Sequence, residues 1–584
     1  MVYALLLSSL LAISLLAVPM LLGDFVAYQL GLYLIYGITA QGVGFLWGKA
    51  GVLPLGQALF FGVSAYSTGI IFQNVDSLSL HLVFAILTLA ILGVVAYVIA
   101  AVVFKRRTNS GPYFSLITLA LAMIVEQLAG TTTHITGGFN GLYGFDSIAG
   151  LDPFGSLYYL IVVCSVSVTL LLMILNTLPI NLIAKAVSEN EPRMQLLGFP
   201  TYALKAQAFA FSAIIAGLGG WRFASHQGIV TPTSTGFALS AELVIITAVG
   251  GRFHVFGPLI GAVVFGFLAS EMRDNFVYWE LLLAVVFIVV VLKAKGGLAE
   301  LIVVFLDKIF PKLLSISSNE FVRTAAPPSN RVLKAGNLIF CDVHLQIGVV
   351  KILDGVSFVL PESGIVSVIG PNGAGKTTIL NTITGNLFPT TGSINFEGKR
   401  IDKRPPYAAL KSSIGRKQQV PSVFFSLSAS DNLAVAMMAG RARVPDYFKR
   451  STLTWYNSAL TNIIDHPNVP LKTALNKTAQ TLSQGHRQFL EFAMTAATEP
   501  KLLLLDEPCA GLSSEETSLM TELVREFQSQ SDGLVVMVEH DMSIVEAISD
   551  KVLVLHQGRV LSFGSFLEIK NNTEVQAVYA GGTK

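Results

Sequence analysis

Charge is what this 584-residue sequence has least of. Asp, Glu, Lys and Arg make up 13% of it, against about 25% in an ordinary soluble chain. Hydrophobic residues make up 52%, and mean hydropathy is +0.63. That shortage excludes a wholly soluble protein and puts much of the chain in lipid. An excess of positive charge is missing too. The 39 Lys and Arg against 37 Asp and Glu leave a net +2, which gives no electrostatic basis for nucleic-acid binding. Cysteine is scarce: Cys164, Cys341 and Cys509 show no CxxC or metal-like spacing. Their pattern points away from disulfides and zinc and toward a reduced compartment. The first apolar run, Val2 to Gly23, lacks a basic region before it, so it reads as a retained helix and not as a signal peptide.

Long apolar runs, by contrast, are abundant. A helix rising ~1.5 Å per residue needs about 20 residues to cross ~30 Å of hydrocarbon. Runs of that kind fall near 2–22, 26–47, 53–73, 81–104, 112–129, 157–177, 205–224, 239–250, 255–271 and 277–293, about ten in all. The run ending at Gly250 is short for a full crossing. Lys49, then Lys105-Arg106-Arg107, then Lys185 and Arg193, then Arg252, then Lys293 and Lys295 fall on alternate loops. Those loops belong on the cytoplasmic side, with both chain ends. Residues 298–314 pattern as an amphipathic interfacial helix, and 315–334 as a polar linker with a Pro-Pro pair. From about Ala335, short β-branched runs alternate with helical stretches, as in a soluble α/β domain. The expected organisation is therefore an all-α polytopic membrane domain at 1–296, an interfacial helix and linker at 297–334, and an α/β domain at 335–584.

The α/β part contains "IGPNGAGKTTIL", residues 369–380. Gly370 to Thr377 matches GxxxxGK(S/T), with a strand-like run before it and a helical one after. In that context Asn372, Gly373 and Gly375 let backbone N–H groups face phosphates, at the positive end of a helix. Lys376 reaches the β/γ-phosphates, while Thr377 and Thr378 open the helix, Thr377 as a Mg²⁺ ligand. "KLLLLDEP", 501–508, is a buried-strand pattern that places Asp506 at a Mg²⁺ position and Glu507 as the base for an attacking water. "LVVMVEHD", 534–541, sets His540 at another strand end, where phosphate-site residues collect.

With these motifs in this order, residues 335–584 resemble the ATP-binding subunit of an ABC transporter. "LSQGHRQ", 482–488, is similar to that family's LSGGQ signature. The resemblance implies that Ser483 and Gly485 close over the γ-phosphate held by a second ATP-binding subunit. It implies that Gln419, and not its neighbour Gln418, is the loop glutamine that senses Mg²⁺, and that His540 is the switch histidine. Three departures stand out: Gln484 and His486 within the signature, Ser513 where many relatives have an aspartate, and Ile347 where an aromatic ring often stacks on adenine. None removes a phosphate or Mg²⁺ ligand, so ATP hydrolysis with Mg²⁺ remains the expectation.

The membrane half resembles the permease of the branched-chain amino acid and urea class of ABC importers. The resemblance runs through "GVLPLGQALFFGVSAY", "GPYFSLITLALAMIVEQL", "TGGFNGLYG", "AVSENEPRMQLLGFPTYALKAQAFAFSA" and "AVGGRFHVFGPLIGA". It implies that the charged interruption with Glu189, Glu191, Arg193 and Gly198 is a coupling loop. Polar groups in or beside apolar runs, Gln57, Glu126, Asn140 and Glu242, are candidates for a solute path, because lipid makes them expensive. The implied assembly needs a second permease and a second ATP-binding subunit, heteromeric or homodimeric, and an external, periplasmic solute-binding protein. It would sit in the cytoplasmic membrane of a prokaryote, in contact with lipid and carrying a small polar solute. The permease motifs are shared by carriers of branched-chain amino acids, other amino acids and urea, while the ATPase half leans toward urea-type relatives, so urea or short amides are expected ahead of branched-chain amino acids. An ABC exporter and a nucleotide-gated channel are the rival readings. Short cytoplasmic loops weigh against the first and an intact Glu507 against the second.

Overall fold

A computed structural model describes residues 9, 11–106, 111–145, 151–293, 296–309, 323–328 and 336–580. Most of the expected linker, Arg107, Lys295 and the start of the first apolar run lie outside the described residues. The chain divides into two compact units. One comprises Met1–Ser188 with Tyr202–Asn319, and the other Glu189–Thr201 with Glu320–Lys584.

The first unit is helical. Each expected run after the first falls on a helix: α1 Asp24–Ala50, α2 Gln57–Asn74, α3 Leu78–Arg106, α4 Gly111–Thr131, α5 Ser156–Asn176, α6 Thr201–Gln227, α7 Phe237–Gly250, α8 Gly257–Asn275 and α9 Trp279–Lys293. Among the described residues, five of them are long and apolar enough to cross a membrane: α1, most of α3, α4, α5 and α6. The expected ten is therefore not reached by that measure. The reasons are visible in the helices. α7 has 14 residues and α9 has 15, or about 21–23 Å at the α-helical rise. α8 ends in Glu271, Arg273 and Asp274, and α2 contains Gln, Ser and Thr. Small residues let the helices approach closely. A side chain at Gly220 would strike the Phe61 carbonyl, and one at Gly250 would strike the backbone of Gly257. A helix at Gly297–Ile309 follows, with Ala299 buried and Leu301, Val304 and Phe305 exposed.

The second unit is built on two sheets. Its strands are β1 Leu338–Ile347, β2 Val350–Leu360, β3 Gly364–Ile369, β4 Thr391–Phe396, β5 Lys399–Arg400, β6 Ile414–Lys417, β7 Leu502–Asp506, β8 Leu534–Val538, β9 Lys551–His556 and β10 Arg559–Gly564. The larger sheet has the order β10-β9-β3-β8-β7-β6. All its pairings are parallel except β9 with β10. Every residue of β7 and β8 is buried, which accounts for their unbroken apolar sequences. The smaller sheet, β2-β1-β4-β5, is antiparallel. The loops after β3, β7 and β8 leave from carboxyl ends of neighbouring parallel strands, the position at which open α/β sheets bind ligands.

Candidate functional site

The loop after β3 runs from Gly370 to Gly375, and the helix Lys376–Ile383 begins directly behind it. Gly375 caps that helix at φ +99°, and Gly373 lies at φ +81°. Both are left-handed values that glycine adopts without penalty. Asn372 and Gly373 are exposed on the loop, while the Lys376 side chain turns back and donates to the carbonyls of Gly370 at 2.7 Å and Pro371 at 3.1 Å. Burial pulls the Lys376 ammonium below its ordinary value, with Glu507 and Asp506 opposing. Thr378 is half-buried beside Thr377 in the first turn.

Strand β7 delivers the carboxylates. Thr377 Oγ1 donates to Asp506 Oδ1 at 3.4 Å, and Arg416 pairs with Asp506 Oδ2 at 3.2 Å. Burial raises the Asp506 carboxyl, while Arg416 opposes the shift. Glu507 takes a left-handed backbone, φ +46°, an uncommon state for a side-chain-bearing residue and one that collects at functional sites. Its N–H donates to the Val538 carbonyl at 3.0 Å, tying the ends of β7 and β8 together. Its carboxylate meets both other candidates: Gln419 Nε2 donates to Oε2 at 2.9 Å, and His540 Nε2 lies 3.0 Å from Oε1. Two residues from two other motifs thus converge on the Glu507 carboxylate. Beside them Glu539 accepts from the Cys509 N–H at 3.3 Å, and burial pushes the Cys509 thiol up to about 12.

The signature stretch lies elsewhere on the unit, at the start of the helix Gln484–Ala496. Ser483 caps that helix, accepting from the His486 N–H at 3.2 Å, and its Oγ lies 2.6 Å from His486 Nδ1. A side chain at Gly485 would meet the Glu516 carboxylate, which would have to shift. Glu516 also closes a capping box with Ser513, the first-turn cap of the helix Ser514–Ser531. Serine caps as aspartate does, so the local fold tolerates that departure. Ile347 sits at the tip of the β1–β2 hairpin and is exposed.

Residues 189–201 belong to this second unit. Asn190 caps the short helix Glu191–Leu196. Glu189 accepts from the Ser426 N–H at 2.8 Å and its hydroxyl at 2.6 Å, and Asn190 Nδ2 donates to Ser422 at 3.0 Å. Glu191 accepts from Thr201 at 2.8 Å. Gly198, at φ +84°, packs on Leu410. Arg193 is wholly buried. It donates to the Arg416 carbonyl at 2.8 Å, to Thr495 at 3.0 Å, and to the Glu491 carboxylate and carbonyl at 3.4 Å each. Burial pulls its guanidinium below the ordinary value, with Glu491 opposing. The same Glu491 carboxylate accepts from the Gln418 N–H at 3.0 Å and faces Lys417 at 3.9 Å. Arg193 thus touches both the strand leading to Gln419 and the helix opened by Ser483.

In the helical unit the four polar candidates occupy different settings. Gln57 is fully buried and donates to the carbonyl and hydroxyl of Ser212, at 2.8 and 3.0 Å. Glu126 lies against Gly236, at the N-terminal end of α7, where a helix favours negative charge. Asn140 is exposed in the one-turn helix Gly138–Asn140, outside the spans. Of the four, Glu242 lines a cavity of this unit. Sequence reasoning missed Arg416, Lys417 and Glu491. The buried strand "IGRK" hides two cations that composition alone assigns to the surface.

Comparison with known proteins matches two families to two stretches of the chain. The family described as "Branched-chain amino acid transport system / permease component" matches residues 25–292, and the family described as "ABC transporter" matches 353–510. The high-affinity branched-chain amino acid transport ATP-binding protein BraF of Pseudomonas aeruginosa is 34% identical over 245 residues, 41% of this chain and 94% of that protein. The corresponding LivG of Escherichia coli is 32% identical over the same length, again 94% of that protein. A crystal structure of a nucleotide-free ATP-binding cassette from an ABC transporter is 24% identical, covering 42% of this chain and 98% of its own, at a TM-score of 0.36. These relatives carry branched-chain amino acid names, and the lean toward urea finds no support among them.

Proposed function

Because the chain belongs to the ABC transporter family, as a branched-chain amino acid type permease fused to an ATP-hydrolysing domain, we propose that it is half of an importer that drives branched-chain amino acids inward. The convergence of Gln419 and His540 on Glu507 carries the ATP-hydrolysing part of this reading, and the permease family match supports the solute class. Such an arrangement holds a general base where a γ-phosphate and its attacking water would meet. Glu507 polarises the water, His540 and Gln419 orient the carboxylate, and the loop from Asn372 to Thr378 cradles the phosphates.

The Thr377 hydroxyl and the buried Asp506 carboxylate, 3.4 Å apart, are hard oxygen donors of the kind Mg²⁺ selects. Gln419 adds a third. When bound there, Mg²⁺ would neutralise phosphate charge. Ser483 and Gly485 lie apart from this cluster and serve the phosphate site of a second ATP-binding subunit. A second permease subunit, heteromeric in the first instance, and an external solute-binding protein complete the assembly. The ATPase domain and both chain ends face the cytoplasm in a prokaryotic inner membrane. Residues 297–334 join the permease domain, 1–296, to the ATPase domain, 335–584. Glu189, Glu191, Arg193 and Gly198 form the coupling loop, supported by the bonds of Glu189 and Arg193 within the ATPase unit.

Labelled leucine and labelled urea uptake, measured in parallel in cells expressing this chain with its partner subunits, tests the proposal. Leucine uptake that Glu507→Gln abolishes is the expected result. Urea uptake alone would reassign the substrate. Uptake of neither, with an assembled complex that hydrolyses ATP, would overturn import and leave export as the reading to pursue.

A further inference from the structure

Charged side chains within an apolar helical unit need a reason to be there. One cavity of the helical unit, about 360 Å³, is lined by both an acid and a base, Glu242 of α7 and Arg273 of α8. Its volume falls in the range of small-molecule sites, about 300–1,000 Å³. Half of the remaining wall is aromatic or amide, including Tyr28, Tyr36, Gln227 and Phe265, and the other half is small or aliphatic. That wall is held in place from behind. Tyr28 stacks on His226 at 4.2 Å and on Phe154 at 4.5 Å, and Tyr36 stacks on Phe223 at 6.1 Å. Glu242 makes no hydrogen bond to the described residues, although it is half-buried.

The position of the cavity is equally telling. Tyr28 and Tyr36 lie in the first half of α1, Gln227 ends α6, Glu242 lies in the first half of α7, and Arg273 is in the last turn of α8. The opposite ends of these helices carry Lys49 and Arg252, and there Lys49 donates to the Phe253 carbonyl at 3.0 Å. The alternation of Lys and Arg puts that end in the cytoplasm. The cavity is therefore at the outer end.

We propose that this cavity is a solute site for an α-amino acid zwitterion, with Glu242 receiving the ammonium, Arg273 the carboxylate, and the aromatic wall the side chain. Opposite fixed charges in one cavity match a ligand that carries both charges and is neutral overall. A neutral solute such as urea has no use for them. The inference rests on the importer reading above and deepens it.

The test is labelled leucine uptake in cells expressing the chain with its partners, normalised to assembled complex recovered by co-purification. Two competitors accompany it: leucinamide, which lacks the carboxylate, and 4-methylpentanoate, which lacks the ammonium. Glu242→Gln and Arg273→Gln are each expected to raise KM for leucine about tenfold or more, from the loss of one charge-assisted bond. Glu242→Asp, which keeps the charge, should restore most of the affinity. Glu242→Gln should also lessen the discrimination against 4-methylpentanoate, and Arg273→Gln that against leucinamide. A general packing defect would not produce that crossed pattern. Wild-type uptake with both neutral variants at unchanged KM, or a raised KM with unchanged discrimination, would overturn the cavity assignment alone. Absence of leucine uptake by the wild-type complex would overturn the importer reading on which it rests.

Discussion

Replacing Arg193 with methionine isolates the contribution of one buried guanidinium. The side chains of Arg193 and Glu491 are 1% and 0% exposed, so water does not replace what is lost. Two of the Arg193 bonds are short, to the Arg416 carbonyl at 2.8 Å and the Thr495 hydroxyl at 3.0 Å. Hydrogen bonds to charged groups contribute about 1.5–3 kcal/mol each, and breaking a buried ion pair costs about 3–5 kcal/mol. Glu491 would not be stranded, because the Gln418 N–H at 3.0 Å and Lys417 at 3.9 Å stay beside it. That puts the loss at the low end, about 3 kcal/mol, or roughly a 100-fold fall in the docking equilibrium constant and a correspondingly larger open fraction of residues 189–201. Limited proteolysis of the purified complex reads that fraction when opening is fast relative to cleavage. Leucine transported per ATP hydrolysed should fall in parallel. A double-mutant cycle with Glu491→Gln should show coupling. Unchanged cleavage in Arg193→Met, or effects additive to within about 0.5 kcal/mol, would refute the assignment.

Glu507→Gln should lower ATP hydrolysis by about 10²–10⁴-fold, the usual effect of losing a general base, with nucleotide binding retained in an equilibrium titration. Ser513→Ala removes a helix cap and should cost about 1 kcal/mol, seen as a lower thermal midpoint, whereas Ser513→Asp should stay near wild type. Asp402 is buried. Burial alone would raise its carboxyl, but hydrogen bonds from Arg400 and the Ile394 N–H hold it below the usual value. A depressed acid stabilises the fold above its unfolded pKa of about 3.9 and loses that contribution as pH falls through the folded value. Asp402→Asn should therefore lower the thermal midpoint at pH 7, with the gap closing in strong acid. A gap of constant size down to pH 2 would contradict this.

The ATPase motifs were legible because their chemistry is local. A phosphate loop needs glycines and a lysine at fixed spacing, and a buried parallel strand needs an unbroken apolar run, so β3, β7 and β8 could be read directly. Helix positions in the membrane half were legible for the same reason. Their ability to cross was less so, since length and end charges decide it, and α7 and α9 show how few residues separate a spanning helix from a short one. Arg416, Lys417 and Glu491 were not legible. Burial of a cation depends on an anion brought from elsewhere in the chain, and one sequence carries no signal for that pairing. The same holds for Arg273. It reads as an unremarkable charge at a helix end until α7 folds beside α8 and the two helices line one cavity.

The second unit is discontinuous in the chain, and that imposes an order on its synthesis. Arg193 leaves the ribosome 298 residues before Glu491. At about 5–20 residues per second the guanidinium waits roughly 15–60 s for its partner. A large apolar side chain in its place would spend that interval as an exposed adhesive patch on a nascent protein, open to wrong contacts. A guanidinium is at ease in water, so Arg193 adds nothing to the apolar surface that Met194, Leu196, Leu197 and Phe199 already present. It gains its affinity only when β6 and the helix Gln484–Ala496 have formed around it. The polar pin therefore sets late: a residue among the first of the ATPase unit to be made completes its bonds only after Thr495 has been synthesised.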